Sequence, residues 1–395
     1  MTKMTSKRLK DKKVPNLRFP GFDGEWETKT LREVCEIKTG NKDTQNKIDD
    51  GKYPFFVRSN TVEKIDSYSY NGEAILTSGD GVGVGKNFHY INGKFDFHQR
   101  VYALRDFKEG YNGKYIYHSF SSKFYDRVKK LSAKNSVDSV RMDMISGMKM
   151  HFPLLFEQQK IAYFLSLIDE RIQTQNKIIE ELETLKTNIS KKIFSQKMRF
   201  KNENENIYTK WITTKLGSIT TLINNKNKDN KKLPVYSINN KSGFIPQSEQ
   251  FNGINSEDRG YDTTLYKVIE KNTFAYNPAR INVGSIGYSG SLDNIIISSL
   301  YVCFKTKDSI NDRFIFQYLK TDLFNKEVLR NVEGGVRDYL FYDSFARIKL
   351  NLPCIEEQIK IADFLQSVDL KISTEKILLQ KLDEQKKYLL NNLFV

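Results

Sequence analysis

The sequence predicts a mixed α+β fold: two α/β blocks separated by two long antiparallel helices that form a coiled coil, with an internal pseudo-two-fold repeat. Three observations carry this. Residues 153–194 (PLLFEQQKIAYFLSLIDERIQTQNKIIEELETLKTNISKKIF) return at 353–394 (PCIEEQIKIADFLQSVDLKISTEKILLQKLDEQKKYLLNNLF), an offset of 200. In each copy apolar residues step by four, three, four, three, the a/d seam of a heptad repeat. Each copy follows a block of short alternating or apolar runs bounded by Gly, Asn and Asp.

The first seam is Ile161, Leu165, Ile168, Ile172, Gln175, Ile179, Leu182, Lys186, Ile189, Ile193; the second is Ile361, Leu365, Val368, Ile372, Glu375, Leu379, Leu382, Lys386, Leu389, Leu393. Polar residues interrupt both at matching places, Gln175/Glu375 and Lys186/Lys386, which lowers stability and fixes register. Neither copy contains an internal proline; each proline precedes its helix, where a missing N–H does little harm. Such a helix spans roughly 55–60 Å. Two similar helices pairing along the same seam are related by a pseudo-two-fold axis and run antiparallel, each the partner of the other. The blocks are then held at opposite ends, with the helices as a ruler.

In chain order, residues 1–20 are expected to form a flexible basic arm, 21–152 the first block, 153–199 the first long helix, 200–209 a polar linker, 210–352 the second block and 353–395 the second helix. Trp26 and Trp211 open the two blocks. Strands are expected at Pro54–Val57, Ala74–Thr77, Asn87–Ile91, Arg100–Leu104 and Met148–Phe152, and at Leu233–Ile238, Thr273–Asn277, Ser285–Tyr288, Leu300–Phe304 and Ile348–Leu352. Helical segments fall at Lys114–Lys130 and Asp312–Leu329. Outside these anchors the blocks diverge, as expected if a shared scaffold carries loops for different targets.

The 395 residues carry 63 Lys and Arg against 48 Asp and Glu, a formal charge of +15. The excess lies in the blocks: +9 over residues 1–155 and +5 over 200–353, against +2 and −1 for the helical stretches. A positive field so placed suits nucleic acid; a generally lysine-rich composition is the competing explanation. Cys35, Cys303 and Cys354 are scattered, with neither metal-ligand nor disulfide spacing, which suits a reducing compartment. The basic start is followed by no apolar run, and no stretch reaches bilayer length. A cytoplasmic chain without membrane contact is expected.

Gly79–Lys86 (GDGVGVGK) resembles a phosphate loop but departs from it: Asp80 stands where the first glycine belongs, and Asn87 follows the lysine in place of Ser or Thr. A glycine-rich turn between strands is the simpler reading. His89, His98, His118 and His151 lack metal spacing, so no metal site is assigned. No nucleophile elbow, kinase set or metal-dependent nuclease core is present, and Asn277-Pro278-Ala279-Arg280 departs from a base-methylating box at its third residue. The chain is therefore expected to be non-catalytic on its own. What remains is polar, basic loops. In the first block these hold Arg58, Ser59, Asn60, Lys86, Asn87, His98, Arg100, Lys134 and Arg141; in the second, Lys226, Lys228, Asn239, Asn240, Lys241, Arg280, Asn282 and Arg337. Arg with Asn or Gln reads G and A in the major groove, while Lys and Ser favour phosphates. A coiled-coil scaffold whose blocks bind RNA or protein stays open on these residues alone.

The pattern resembles the specificity subunit of type I restriction-modification systems. The resemblance rests on P-x3-E-Q-x-x-I-A-x-F-L, present as Pro153, Glu157, Gln158, Ile161, Ala162, Phe164, Leu165 and again as Pro353, Glu357, Gln358, Ile361, Ala362, Phe364, Leu365, and it covers the chain beyond the arm. It implies two target-recognition domains, each reading half of a split site in double-stranded DNA, and helices that set the spacing. It also implies docking of two methyltransferase subunits, with restriction subunits in the full complex. S-adenosylmethionine, ATP and Mg would serve those partners, with no cofactor on this chain.

Overall fold

The computed structural model describes residues 14–81, 83–132, 139–250, 260, 262–334 and 338–395. It separates into two compact units, Met1–Lys177 with Ile377–Val395, and Ile178–Lys376. The division falls inside both long helices.

In the first unit the order is β1 (Glu27–Thr30), α1 (Leu31–Val34), β2 (Glu36–Thr39), β3 (Tyr53–Phe56), β4 (Val62–Ile65), β5 (Tyr70–Ser78), β6 (Phe88–Phe97), β7 (Val101–Arg105), α2 (Gly113–Leu131), α3 (Met142–Ser146), β8 (Lys149–Phe152) and the start of α4 (Leu155–Phe194). Six strands form one sheet ordered β2-β7-β5-β6-β3-β4, antiparallel except for β3 beside β6. The sheet curls until the end of β6 meets the chain leaving β2: Lys42 bridges His98, and a Cβ at Gly40 would lie 1.9 Å from the Phe97 carbonyl oxygen, so only glycine passes there. β1 pairs with β8, closing the block where it joins α4.

The second unit continues with β9 (Ile212–Lys215), α5 (Leu216–Ile219), β10 (Thr220–Ile223), β11 (Val235–Asn239), β12 (Gly243–Pro246), α6 (Gln247–Gln250), β13 (Lys267–Ile269), β14 (Phe274–Tyr276), β15 (Ile286–Tyr288), β16 (Ile295–Ile297), β17 (Val302–Thr306), α7 (Asp312–Tyr318), α8 (Asp322–Asn331), β18 (Glu333–Gly334), β19 (Asp338–Tyr339), α9 (Tyr342–Arg347), β20 (Lys349–Leu352) and the start of α10 (Ile355–Leu393). The topology repeats that of the first unit, but the sheet is split into β10-β17-β14-β15 and β12-β11-β16-β13. Asn272 and Asn294, at φ 57° and 53°, turn the chain where β5 and β6 run straight through in the first unit. Asparagine tolerates that left-handed backbone. The single helix expected over Asp312–Leu329 is two: the Thr321 hydroxyl accepts from Phe324 N at 3.2 Å and starts α8 afresh.

Each core combines a block with parts of both long helices. In the first unit Ile161, Ala162, Leu165 and Ile168, from the start of α4, share a buried cluster with Leu389, Leu393 and Phe394 at the end of α10 and with Trp26 and Tyr115. In the second, Ile193 and Phe194 at the end of α4 share one with Ile361, Ala362 and Leu365 at the start of α10 and with Trp211 and Phe314. The helices are thus antiparallel, and every residue of the predicted seams is buried or half-buried. The matched polar positions pair across the seam: Lys186 Nζ lies 2.6 Å from Asp369, and Lys386 Nζ 2.5 Å from Asp169. Each aspartate also faces its block, Asp369 accepting from Gln317 Nε2 at 2.8 Å and Asp169 lying 3.8 Å from His118 Nδ1.

The Glu-Gln pair of the repeated signature fixes each block to its helix. Gln158 accepts from Asn112 N and donates to Pro153 O and Gly110 O; Gln358 accepts from Asn311 N and donates to Pro353 O. Asn112 and Asn311 in turn cap α2 and α7. Glu157 receives Arg18 through Nε and Nη2, both at 2.8 Å, and Glu357 receives Arg199 in the same two-pronged way. Trp211 Nε1 adds a third bond to Glu357 at 2.8 Å.

These contacts correct two expected boundaries. The arm expected over 1–20 includes residues that belong to the fold: Leu17 N donates to Asn392 O, Arg18 grips Glu157, and Phe19 packs edge-on against Phe164. Leu17 and Arg18 repeat Met198 and Arg199, since Met198 N donates to Lys192 O. The first long helix ends at Phe194 rather than 199, and the polar linker expected over 200–209 is anchored, Arg199 donating to Tyr208 O and Thr209 O.

Candidate nucleic-acid interface

In the first unit the β3–β4, β5–β6 and β6–β7 connections converge. Arg58 Nη1 lies 3.1 Å and Arg100 Nε 3.8 Å from the two oxygens of Asp80. His89 Nε2 lies 3.1 Å from Ser59 O. Val140 N donates to Gly79 O at 2.7 Å, which brings the segment leading to Arg141 to the same cluster. Arg58, Asn60, Lys86, Arg100 and Arg141 are exposed and Ser59 half-buried; Lys86 lies over the Tyr125 ring, 4.6 Å from its centre.

Two expected contact residues are interior. Asn87 is 6% exposed and its Nδ2 donates to Arg58 O; His98 is 2% exposed and its Nδ1 accepts from Arg100 N. Burial lowers the His98 pKa, so the ring is neutral and serves as an acceptor. Both act as supports for neighbouring arginines, not as readers. Lys134 and Arg337 lie outside the described residues.

In the second unit Asn239, Asn240 and Arg280 line an open cleft of about 710 Å³, with Ser237, Gln247, Asn277 and Tyr301 among its other walls. Asn240 also borders an adjoining groove of about 440 Å³ that holds Lys241 and Asn282. Asn239 Oδ1 is spent on Lys241 N and Ser242 N, and Asn277 Oδ1 on Ala279 N, so these two shape turns. Asn240, Lys241 and Arg280 are exposed and Asn282 half-buried. Lys226 and Lys228 stand exposed on the β10–β11 turn, whose Asn227 N donates to Tyr266 O behind the cleft wall. Sequence reasoning missed Ser237 in the middle of β11, Gln247 at the start of α6 and Tyr301 just before β17, which line the cleft, and Asp80, which appeared only as the residue that spoils a phosphate loop.

Among the described residues no cluster of three or more His, Cys, Asp or Glu is placed to hold a metal. Burial pushes the Cys35 and Cys303 thiols up to about 12, which suits packing and not nucleophilic attack. Within the glycine run, residues 83–86 form a turn: a Cβ at Gly83 would strike Asn87 Nδ2 at 1.8 Å, and Gly85 has φ 69°. No helix among the described residues is long and apolar enough to cross a membrane.

A family profile described as "Type I restriction modification DNA specificity domain" matches residues 23–184 and again 191–384, once per repeat. The chain belongs to this family. Its relatives include the putative type I restriction enzyme MjaX specificity subunit of Methanocaldococcus jannaschii, 26% identical over 75% of this chain and 67% of the relative. The MjaIX specificity subunit of the same organism is 24% identical over 59% of this chain, which spans only 57% of that relative's length. The putative specificity subunit S.MpnORF507P of Mycoplasma pneumoniae is 23% identical over 85% of this chain and 87% of its own length. The fold is shared with the crystal structure of a type-I restriction-modification S subunit from M. genitalium, at TM-score 0.64 and 18% identity over 97% of this chain and 99% of that one. A chain from a study of assembly and conformational transition in the type I R-M system matches at TM-score 0.54 and 14% identity, over 96% and 99%. As a specificity-domain chain, the protein places its two polar loop clusters where the two matched repeats carry their blocks.

Proposed function

We infer that the chain is the DNA-specificity subunit of a type I restriction-modification complex, non-catalytic by itself. Each block reads one half of a bipartite target in duplex DNA, and the helix pair sets the number of base pairs between the halves. The observation that carries this is the duplicated unit itself: a basic block whose Arg- and Asn-bearing loops converge at one place, fastened by the same Glu-Gln lock to a helix seam. Arg and Asn in such loops supply base-edge recognition, and surrounding lysines the phosphate contacts.

The partners are two methyltransferase subunits, with restriction subunits in the full complex, and these carry S-adenosylmethionine, ATP and Mg. Exposed apolar side chains on the outer helix faces, Phe156 and Tyr163 on α4 and Leu370 and Tyr388 on α10, supply area for docking them. The test is a methylome comparison between a strain carrying this gene and one lacking it. A bipartite methylated motif should vanish with the gene. Persistence of the motif, or methylation of the same split site by the modification subunit alone, overturns the assignment; an unchanged methylome with RNA or protein captured by the chain favours the scaffold alternative.

A further inference from the structure

We propose that Asp80 is a positioning residue that presents Arg58 and Arg100 to the edge of a guanine in the half-site read by the first unit. This rests on the DNA-reading function above and adds to it a base and the residues that select it.

Asp80 is held from both sides by backbone. It bridges Ser139, its neighbour Gly79 donates to Arg100 O at 2.7 Å, and a Cβ on Gly79 would come within 2.8 Å of that same oxygen. Its carboxylate is mostly covered, at 23% side-chain exposure, whereas Arg58 and Arg100 are 45% and 66% exposed. The backbones of both arginines are fixed from beneath, Arg58 O by Asn87 Nδ2 and Arg100 N by His98 Nδ1. A rigid acid thus holds two guanidinium forks that remain partly exposed to solvent.

A guanidinium has five N–H donors in a planar fork, so sharing one with Asp80 leaves the rest free. Charge decides what they meet. A carboxylate this close halves the attraction of the pair for a phosphate and repels a phosphate directly, which makes this a poor backbone contact. It does not weaken the geometric match of a guanidinium to guanine O6 and N7, and it removes the rotamer freedom that binding would otherwise have to freeze. In the second unit's cleft Asp262 is a wall along with Arg280, but among the described residues no acid comes within ion-pair distance of Arg280, so the paired device belongs to the first unit.

The experiment uses the full chain assembled with its methyltransferase subunits, acting on duplex libraries randomised over the wild-type motif. Arg58→Lys and Arg100→Lys keep the charge and lose the fork. At least one of them should relax the guanine preference at a single position of the first half-site by roughly 10- to 100-fold. Asp80→Asn should relax the same position by about tenfold and leave the second half-site untouched. Unaltered preference in both lysine variants overturns the proposal, as does a loss spread evenly over all sequences with a shallower salt dependence in an alanine variant, which marks a phosphate contact. The lysine variants change only exposed groups, so they decide the matter even if Asp80→Asn unfolds. A wild-type complex with no motif dependent on this chain would overturn the DNA-reading function itself, which is a different result.

Discussion

Glu157 and Glu357 are nearly sealed from solvent, each holding an arginine by two bonds of 2.8 Å. A carboxylate is costly to bury, and these are stabilised because both oxygens of each accept from the guanidinium of a paired arginine. Removing the acid leaves Arg18 or Arg199 partly buried without its counter-charge. Glu357→Ala should therefore cost roughly 3–5 kcal/mol, with Glu157→Ala at or below the low end, because only Glu357 also satisfies a tryptophan. Denaturant unfolding of the two variants against wild type checks both the size and the order. His118 provides a pH test. Burial lowers its pKa from 6.5 to about 4, while Asp169 opposes and Lys386 and Lys114 add to the shift. As pH falls from about 6.5 towards 4, the unfolded chain takes up a proton that the folded chain refuses, so this histidine costs stability across that window and none above it. Gln317 occupies the matching place in the second unit. His118→Gln should flatten the fall in melting temperature between pH 7 and pH 5; an identical slope in wild type and variant would contradict the burial argument.

At the scale of elements, the two long helices depend on a seam with matched polar interruptions. Lys186–Asp369 and Lys386–Asp169 are partly solvent-exposed, so each is worth about 1 kcal/mol at most, but they reward only one register. Asp169→Lys should weaken assembly with the methyltransferase subunits, and adding Lys386→Asp should recover most of it; size-exclusion chromatography of the two variants reads this directly. A proline at Ile179 should abolish assembly altogether, since it breaks α4 inside the seam. These helices were legible in the sequence because a forty-residue heptad without glycine or proline admits one interpretation. The three-residue strands β13 and β16 are too short to show alternation, and they exist because their neighbours pair with them. The loops were legible only as chemistry. Polarity and position in a loop picked out Arg58 and Arg100, which are exposed, yet they also picked out Asn87 and His98, whose side chains are buried. Asp80 was invisible because an acid reads as an argument against DNA until its two arginines are seen beside it.

At the scale of the molecule, the candidate contacts of each unit come from its own loops, while the lock and seam recur in both. Replacing residues 1–152 with the corresponding block of another family member should change one half of the methylated motif and leave the other half and the spacing as they were. Sequencing the methylome of a strain carrying the chimera checks this, and an unchanged motif would refute modularity.

The core of the first unit is completed by Leu389, Leu393 and Phe394, and Lys123 Nζ bonds the carbonyl of Val395. Residues 377–395 are thus a wall of the first domain, although in the sequence they come after the whole second unit. During synthesis that domain waits, with Ile161, Leu165 and Tyr115 uncovered, until the second unit has been added. A stop codon just after residue 376 would spare the whole second unit and wound the first. In a genetic screen such alleles would sort with lesions in the first block.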